Sequence, residues 1–328
     1  MADKKPSLLC VRKILREQTD EDHVLSTNEI LDILRKEYGI KLERRALYSN
    51  IDLLIEFGDD ISRYNENHKG YYMRDRQFSE GEILMLSNAI HASYFIPQEQ
   101  SAELIQKLLD TQSLMIQEKF YDHVFEENKA KTTNVELLDN IALVSTAIHD
   151  EKVITFNYSH YEGDLKLHPR MDEDGKPHLY TMEPRYIAYH DGRPYLVATS
   201  EDHDGDYIHY RLDKMSNVKL TRTRVRRMLD LTEAYEYATK KLYMFAGDNV
   251  ECEMLVEKNT FNALVDEFGY DIEVSEEDEN HYRCKVCASR KGLVMLGLQY
   301  LDTIVIETED IKQEIIEHLE NGLKRYIK

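Results

Sequence analysis

Two hydrophobic rhythms divide this chain. Up to about residue 150 the apolar positions recur every three or four residues, and from Val153 they alternate. Residues 7–17 give the first predicted helix, with Leu8, Val11 and Leu15 on one face. The second opens at "STNE", where Ser26 as N-cap and Glu29 three positions on make a capping box. Ile30, Ile33, Leu34 and Tyr38 form its stripe, and Gly39 ends it. In the third, Leu47, Ile51, Leu54 and Ile55 share a face before Gly58 stops the helix. Two strand-like runs, "ISRYN" and "GYYMR", then flank the turn "ENHKG". Three helices followed by a hairpin is the order of a winged helix-turn-helix.

The segment "FSEGEILMLSNAIHASYF" starts on a second capping box, Ser79 and Glu82, and reads as helix up to Pro97. Residues 98–126 and 134–150 also read as helices, separated by the polar "ENKAKTTN". After Val153 come five short strands, "VITFNY", "HLYTMEP", "RYIAYH", "PYLVATS" and "YIHYRLD", with Gly/Asp turns between them. That spacing suits a small, curved barrel. A helical stretch around residues 231–246 follows. From about Val250 the order is β-α-β-β-α-β with one more helix at the end, an α+β arrangement of the ferredoxin type. The expected fold class is therefore multidomain α+β. Its parts are a winged helix-turn-helix (1–77), a helical connector (78–150), a barrel (151–222), a linker helix (223–249) and a C-terminal ferredoxin-like domain (250–328).

Composition narrows the function. A chain of 328 residues, 42% hydrophobic and 32% charged, is long enough for several cores. No apolar run approaches a bilayer span, and "MADKKPSLLCVRK" lacks a secretory pattern, so no membrane association and a bacterial cytoplasmic location are expected. Four cysteines in 328 residues argue against a disulfide framework. The net charge of −20 argues against indiscriminate coating of polyanions. Residues 1–74, however, carry 13 Lys/Arg against 14 Asp/Glu, and the rest carry 29 against 48. The acidity belongs to the later part, which permits DNA binding at the N-terminus.

On the third helix, Arg45 and Ser49 point away from the apolar stripe, flanked by Tyr48. Arg45 suits a guanine edge or a phosphate, and Tyr48 and Ser49 suit phosphate oxygens. Arg44 lies nearer the apolar side, for a phosphate or a structural role. Asp52 and Glu56 on the outer face would repel DNA, so only the first two turns can read it. The hairpin adds Arg63, His68 and Lys69 near its tip. The bland alternative is the solvated face of an ordinary helical domain.

Other clusters carry less. The pair Cys284 and Cys287 lacks the second ligand pair of a zinc site and reads as small buried hydrophobes, so no metal is expected. His160, His168 and His178 lie among acids without any hydrolase spacing, and no catalytic residue is assigned. In "YIHYRLDK", Ile208, Tyr210 and Leu212 alternate with His209 and Arg211, one apolar face and one suited to an anion. Downstream, Arg222, Arg224, Arg226 and Arg227 suit a polyanion or an acidic surface.

Taken together, these parts resemble the bacterial WYL-domain transcription regulators. The resemblance runs through "RRALYSNIDLLIEFG" and "KGYYM", then "AIHDEKVITFNY", "MEPRYIAYHDGRPYLVATS" and "YRLDKMSNV", and finally "FNALVDEFG" to "MLGLQYLDTIVIET". Two departures stand out. The chain has no tryptophan, so the family's Trp-Tyr-Leu appears as Pro194-Tyr195-Leu196, and residues 159–176 make a longer segment between strands. The resemblance implies an Sm-like, SH3-type barrel that senses nucleotides or nucleic-acid fragments, in homodimers that bind palindromic double-stranded DNA. Carried over by motif, the ligand-binding residues are Tyr158, Ser159, Arg185, Tyr195 and Arg211. His209 is added from the strand alternation. Tyr158 shares a face with Ile154 and Phe156 and is equally a core candidate. The expectation is a non-enzymatic, DNA-binding regulator with no cofactor, whose effector is a nucleotide, single-stranded DNA or RNA. The alternative is an RNA- or single-strand-binding accessory of a nucleic-acid enzyme or defence system.

Overall fold

The computed structural model describes residues 4–123, 131–190, 192–200, 207–226 and 249–327. The chain divides into two compact units, Met1–Thr132 and Thr133–Lys328, taken in turn below.

The first unit begins with α1 (Lys4–Gln18), α2 (Thr27–Glu37) and α3 (Arg44–Glu56). The predicted capping box closes in full: Ser26 Oγ accepts from the Glu29 N–H, and the Glu29 carboxylate accepts from the Ser26 N–H at 2.7 Å. Val11, Ile14, Leu15, Ile30, Leu34, Leu47 and Ile51 form one core with exposures of 0–1%. The hairpin is shorter than the apolar pattern suggested. Its strands are β1 (Ile61–Ser62) and β2 (Tyr72–Met73), with a one-turn helix α4 (Tyr64–Asn67) in place of the rest of "ISRYN". Asn67 explains this. Its Nδ2 donates to Ser62 Oγ and the Gly70 carbonyl, and its Oδ1 accepts from the Lys69 and Gly70 N–H groups. One side chain thus satisfies the turn that strands would otherwise have to close. Gly70 is required by close approach: a Cβ there would lie 2.2 Å from the Leu25 carbonyl oxygen, beside the Leu25–Tyr71 bridge.

Three more helices follow, α5 (Glu80–Ala92), α6 (Gln98–Leu109) and α7 (Leu114–His123). The helix read across residues 98–126 is therefore broken. Ser113 breaks it, because its hydroxyl donates to Asp20 at 2.7 Å and accepts from the Ile116 N–H. Lys131 seals the end of α5 by donating to the Ile90 and Ser93 carbonyls.

The second unit opens with α8 (Leu137–His149) and a bent six-stranded sheet. Its strands are β3 (Lys152–Tyr161), β4 (Leu167–Pro169), β5 (Leu179–His190), β6 (Arg193–Thr199), β7 (Ile208–Arg211) and β8 (Met215–Arg224). β3, β5, β6 and β7 form an antiparallel meander; a 3-10 turn (Leu212–Lys214) then carries the chain into β8, which returns to pair with β3. That return curls the sheet. Two predicted strands, "HLYTMEP" and "RYIAYH", are in fact the single strand β5, with an irregularity in register between Pro184 and Tyr186. Proline has no ladder N–H, so a bulge is where a strand tolerates it. The long segment 159–176 supplies β4, folded back on the end of β3. Pro194, at the tryptophan position, pairs only with Tyr189, since β7 begins to pair with β6 at Tyr195. Phe156, Tyr158, Tyr180 and Tyr210 pack edge-to-face or stacked within the curl.

The last segment runs β9 (Asn249–Glu257), α9 (Phe261–Phe268), β10 (Glu273–Glu276), β11 (His281–Ser289), α10 (Arg290–Gln299), β12 (Ile304–Ile306) and α11 (Glu309–Tyr326). The strands form an antiparallel sheet in the order β10-β11-β9-β12. One face carries the core of Cys252, Met254, Val256, Cys284 and Val286 under the helices. Gly297 of α10 lets α11 dock, because a Cβ there would lie 2.5 Å from Ile315 Cδ1. The helix read around residues 231–246 and Arg227 lie outside the described residues.

Candidate functional site

On α3 of the first unit, Arg45, Tyr48 and Ser49 are all exposed, on the face opposite the buried Leu47, Ile51 and Leu54. Among the described residues Arg45 meets no acidic side chain. Tyr48 lies 3.5 Å from Thr27 Oγ1 through its hydroxyl and tilts against the Tyr71 ring. Two arginines behave differently. Arg44 donates to Asn28 Oδ1 at 2.9 Å, which ties α3 to α2 and gives it a structural task. Arg63 lies 3.0 Å from Asp52, so the acid expected to repel DNA is neutralised by a residue expected to bind it. Lys69 is exposed beside His68, whose backbone is left-handed at φ 57°.

In the second unit the curled sheet brings Arg211, Arg193 and Lys214 close to one buried acid, Asp213, with Arg170 nearby. Arg211 forms a bidentate pair with Asp213, Nε to Oδ1 at 3.0 Å and an Nη to Oδ2 at 2.6 Å. Asp213 is 1% exposed, and Arg193 approaches it at 3.9 Å from β6. Lys214, next on the 3-10 turn, stands 5.5 Å over the Tyr161 ring, and Arg170 stands 5.6 Å from the centre of the Tyr158 ring. Burial, and then the field of Arg211, Arg193 and Arg170 against that of Asp213, pushes the Lys214 ammonium below the ordinary lysine range. Burial opposes charge on Arg211 too, but its bonds to Asp213 hold its pKa above the usual value. The Tyr158 hydroxyl accepts from the Arg211 N–H at 3.3 Å, and burial raises its pKa. Deeper in, burial followed by the neighbouring Tyr180 and Tyr158 pushes Tyr210 up to about 12. Among the described residues the site brings several cations and aromatic edges together, which is chemistry for a polyanion.

The sequence-derived ligand residues divide. Tyr158, Tyr195 and Arg211 fall together, with Tyr195 directly opposite Arg211 in the β6–β7 register. His209 lies on the same face, opposite Val197. Ser159 is 8% exposed and lines a cavity of about 300 Å³ with Asn217 and Lys214, the latter one of the four cations. Arg185 is 8% exposed, lies at the irregularity in register between Pro184 and Tyr186, and donates to Thr199 Oγ1 and to Glu183 at 2.6 Å. Arg170, Arg193 and Lys214 were missed. Arg170 belongs to the long segment whose length was the available signal.

Among the described residues no group of three or more His, Cys, Asp or Glu side chains could hold a metal ion. Cys284 and Cys287 are three apart on β11 and so face opposite sides; the first is buried and the second only half-buried, correcting the reading of both as core. His168 pairs with Asp164 at 3.0 Å. Arg222 and Arg224 end β8, and the Arg226 N–H donates to Glu183. No helix among the described residues is long and apolar enough to cross a membrane.

Residues 139–220 match the model of the WYL domain. No curated protein matches the chain. Among solved structures it is similar to proteasome accessory factor B/C (PafBC) of Arthrobacter aurescens, at 13% identity and a TM-score of 0.26 over 100% of this chain and 50% of that one. It is also similar to a CRISPR Cas-related protein, at 11% identity and a TM-score of 0.40 over 99% of this chain and 92% of the other. The chain thus spans about half the length of the first. The WYL match starts inside α8 and ends inside β8, so the four-cation cluster lies wholly within it: this chain carries a WYL domain.

Proposed function

We propose that this protein is a non-enzymatic, DNA-binding transcription regulator whose WYL domain senses an anionic ligand, a nucleotide or a nucleic-acid fragment. The observation that carries the reading is the cluster of Arg170, Arg193, Arg211 and Lys214 around Asp213 in a chain of net charge −20. Against that background, cations drawn together among the described residues suit an anionic ligand. The first three helices and the hairpin are taken as a winged helix-turn-helix, with Arg45, Tyr48 and Ser49 meeting the major groove and Lys69 a phosphate beyond it. A homodimer would supply affinity that one near-neutral winged helix lacks. A coupling of about 1–3 kcal/mol between the two sites is enough for a useful switch.

A second reading, an accessory that binds RNA or single-stranded DNA, is favoured by one feature. Tyr161 and Tyr189 are exposed at 45% and 63% in the same domain as the cations. Exposed aromatics beside cations suit unpaired bases.

The deciding experiment compares duplex fragments from upstream of the protein's own coding region with single strands of the same sequence, at two salt concentrations. Salt-dependent duplex binding that Arg45→Ala weakens supports the regulator. Single-strand binding lost in Arg170→Ala, without duplex binding, overturns it in favour of the accessory.

A further inference from the structure

Within the first unit, a cavity of about 680 Å³ is walled by the turn after α1, the link from β2 to α5, and the start of α7. That volume falls in the range of roughly 300–1,000 Å³ typical of small-ligand sites. Seven carboxylates line it, against Arg74, Arg76, Lys119 and one histidine. The cations are already committed. Arg74 bonds Asp60 and Glu66, Lys119 bonds Glu80, and Arg76 donates to the carbonyls of Arg16 and Thr19. Asp20 accepts from Ser113, and Glu82 from Ser79. Three acids are left over. Glu21, Asp22 and Asp75 are exposed, and none of them meets a cation among the described residues.

Gln112 lines the same cavity and is 1% exposed. Its Nε2 donates to the Phe78 carbonyl at 2.9 Å and to Thr111 Oγ1 at 3.3 Å, and that hydroxyl spends its own hydrogen on the Leu108 carbonyl. Both neighbours of Nε2 accept, so the amide cannot be turned round. Oε1 is thereby fixed as a buried acceptor to which no described group donates. A buried acceptor left unmet is costly, and this one calls for a donor from outside the chain. The three acids call for positive charge. An organic ammonium supplies both at once. A directly held metal ion does not fit, because no group of three or more His, Cys, Asp or Glu side chains among the described residues could hold one.

We propose that this cavity binds a linear di- or polyamine, one ammonium donating to Gln112 Oε1 and the others held by Glu21, Asp22 and Asp75. The site belongs to the first unit alone, and it stands whether or not the chain binds nucleic acid.

Titration calorimetry of the full chain with spermidine tests it. The expected result is saturable binding of one spermidine per chain, which magnesium at equal ionic strength does not displace. Glu21→Gln, Asp22→Asn and Asp75→Asn combined should weaken it about tenfold. A charge-matched control, Glu279→Gln with Glu317→Gln and Glu320→Gln, changes exposed acids of the second unit and should leave it unchanged. That comparison separates the cavity from the general attraction of a chain at −20 for any cation. Gln112→Met removes the acceptor at similar side-chain length and should also weaken binding about tenfold. If the Met variant fails to fold, the two triple variants, altered only at exposed positions, still decide. Equal weakening by both triple variants, displacement by magnesium, an affinity unmoved in a folded Gln112→Met, or no saturable binding overturns the site.

Discussion

Arg211 holds Asp213 through two parallel N–H···O bonds, although Asp213 is 1% exposed and Arg211 carries its charge into the same enclosure. The two residues are separated only by Leu212, so the 3-10 turn that begins there is braced by its own side chains. Replacing Asp213 with Asn should leave a guanidinium without its counter-charge. Breaking a buried pair from one side costs roughly 3–5 kcal/mol. Urea unfolding of D213N should show a loss of that order, and an unchanged midpoint would mean that the pair is solvated.

Arg45 and Arg44 are adjacent in sequence and should separate in experiment. Arg45→Ala removes an exposed cation that no acid meets among the described residues. It should leave the melting temperature unchanged while weakening duplex binding by about 1–3 kcal/mol. Arg44→Ala loses the bond to Asn28 and should lower stability by about 1 kcal/mol. Equal effects of the two on duplex affinity would contradict this division of labour.

The Lys214 pKa is lowered in the folded protein, by burial first and by neighbouring arginines next. Between its folded value and that of the unfolded chain, the unfolded state holds more protons, so stability without ligand rises with pH in that window. Anion binding goes the other way. It favours the charged ammonium, so affinity for a nucleotide is complete below the folded pKa and falls as pH rises through it. Titration calorimetry across the alkaline range should show this fall at a pH below the ordinary lysine range. In Lys214→Met the step should vanish.

Gly70→Ala places a Cβ against the Leu25 carbonyl, where backbone has to move. The Leu25–Tyr71 bridge, with bonds of 3.0 and 2.8 Å, should open. Overpacking of this kind costs about 1–3 kcal/mol. Amide exchange at Leu25 and Tyr71 should rise more than exchange at Ile51. Uniform acceleration would indicate global rather than local loss.

What the sequence made legible was local. Both capping boxes, Ser26/Glu29 and Ser79/Glu82, close as read, since each needs only three residues of helix. The β-α-β-β-α-β order after residue 249 follows from alternation and spacing. The cation cluster was only partly legible, because Arg170, Arg193 and Lys214 come from three different parts of the sheet and meet only when β3 takes β4, β5 and β8 as neighbours. The burial of Arg185 was not legible either, because it lies at the irregularity in register between Pro184 and Tyr186, which alternation does not reveal. The break at Ser113 depends on Asp20, 93 residues away.

Asn134 donates to the carbonyls of Asp213 and Met215 at 3.0 and 2.7 Å, and Asn140 donates to Met215 at 2.9 Å. Glu136 accepts from the Asn217 N–H at 2.8 Å. Three side chains at the start of α8 are thus fastened to the backbone on and just after the turn that carries Lys214. Helix and turn therefore form a single cooperative opening unit, and their slow amides should exchange at one common rate. The smallest excised fragment that keeps the curled sheet's native protection then starts at or before Asn134; one cut at residue 151 would expose those carbonyls to water and exchange as a loosened sheet.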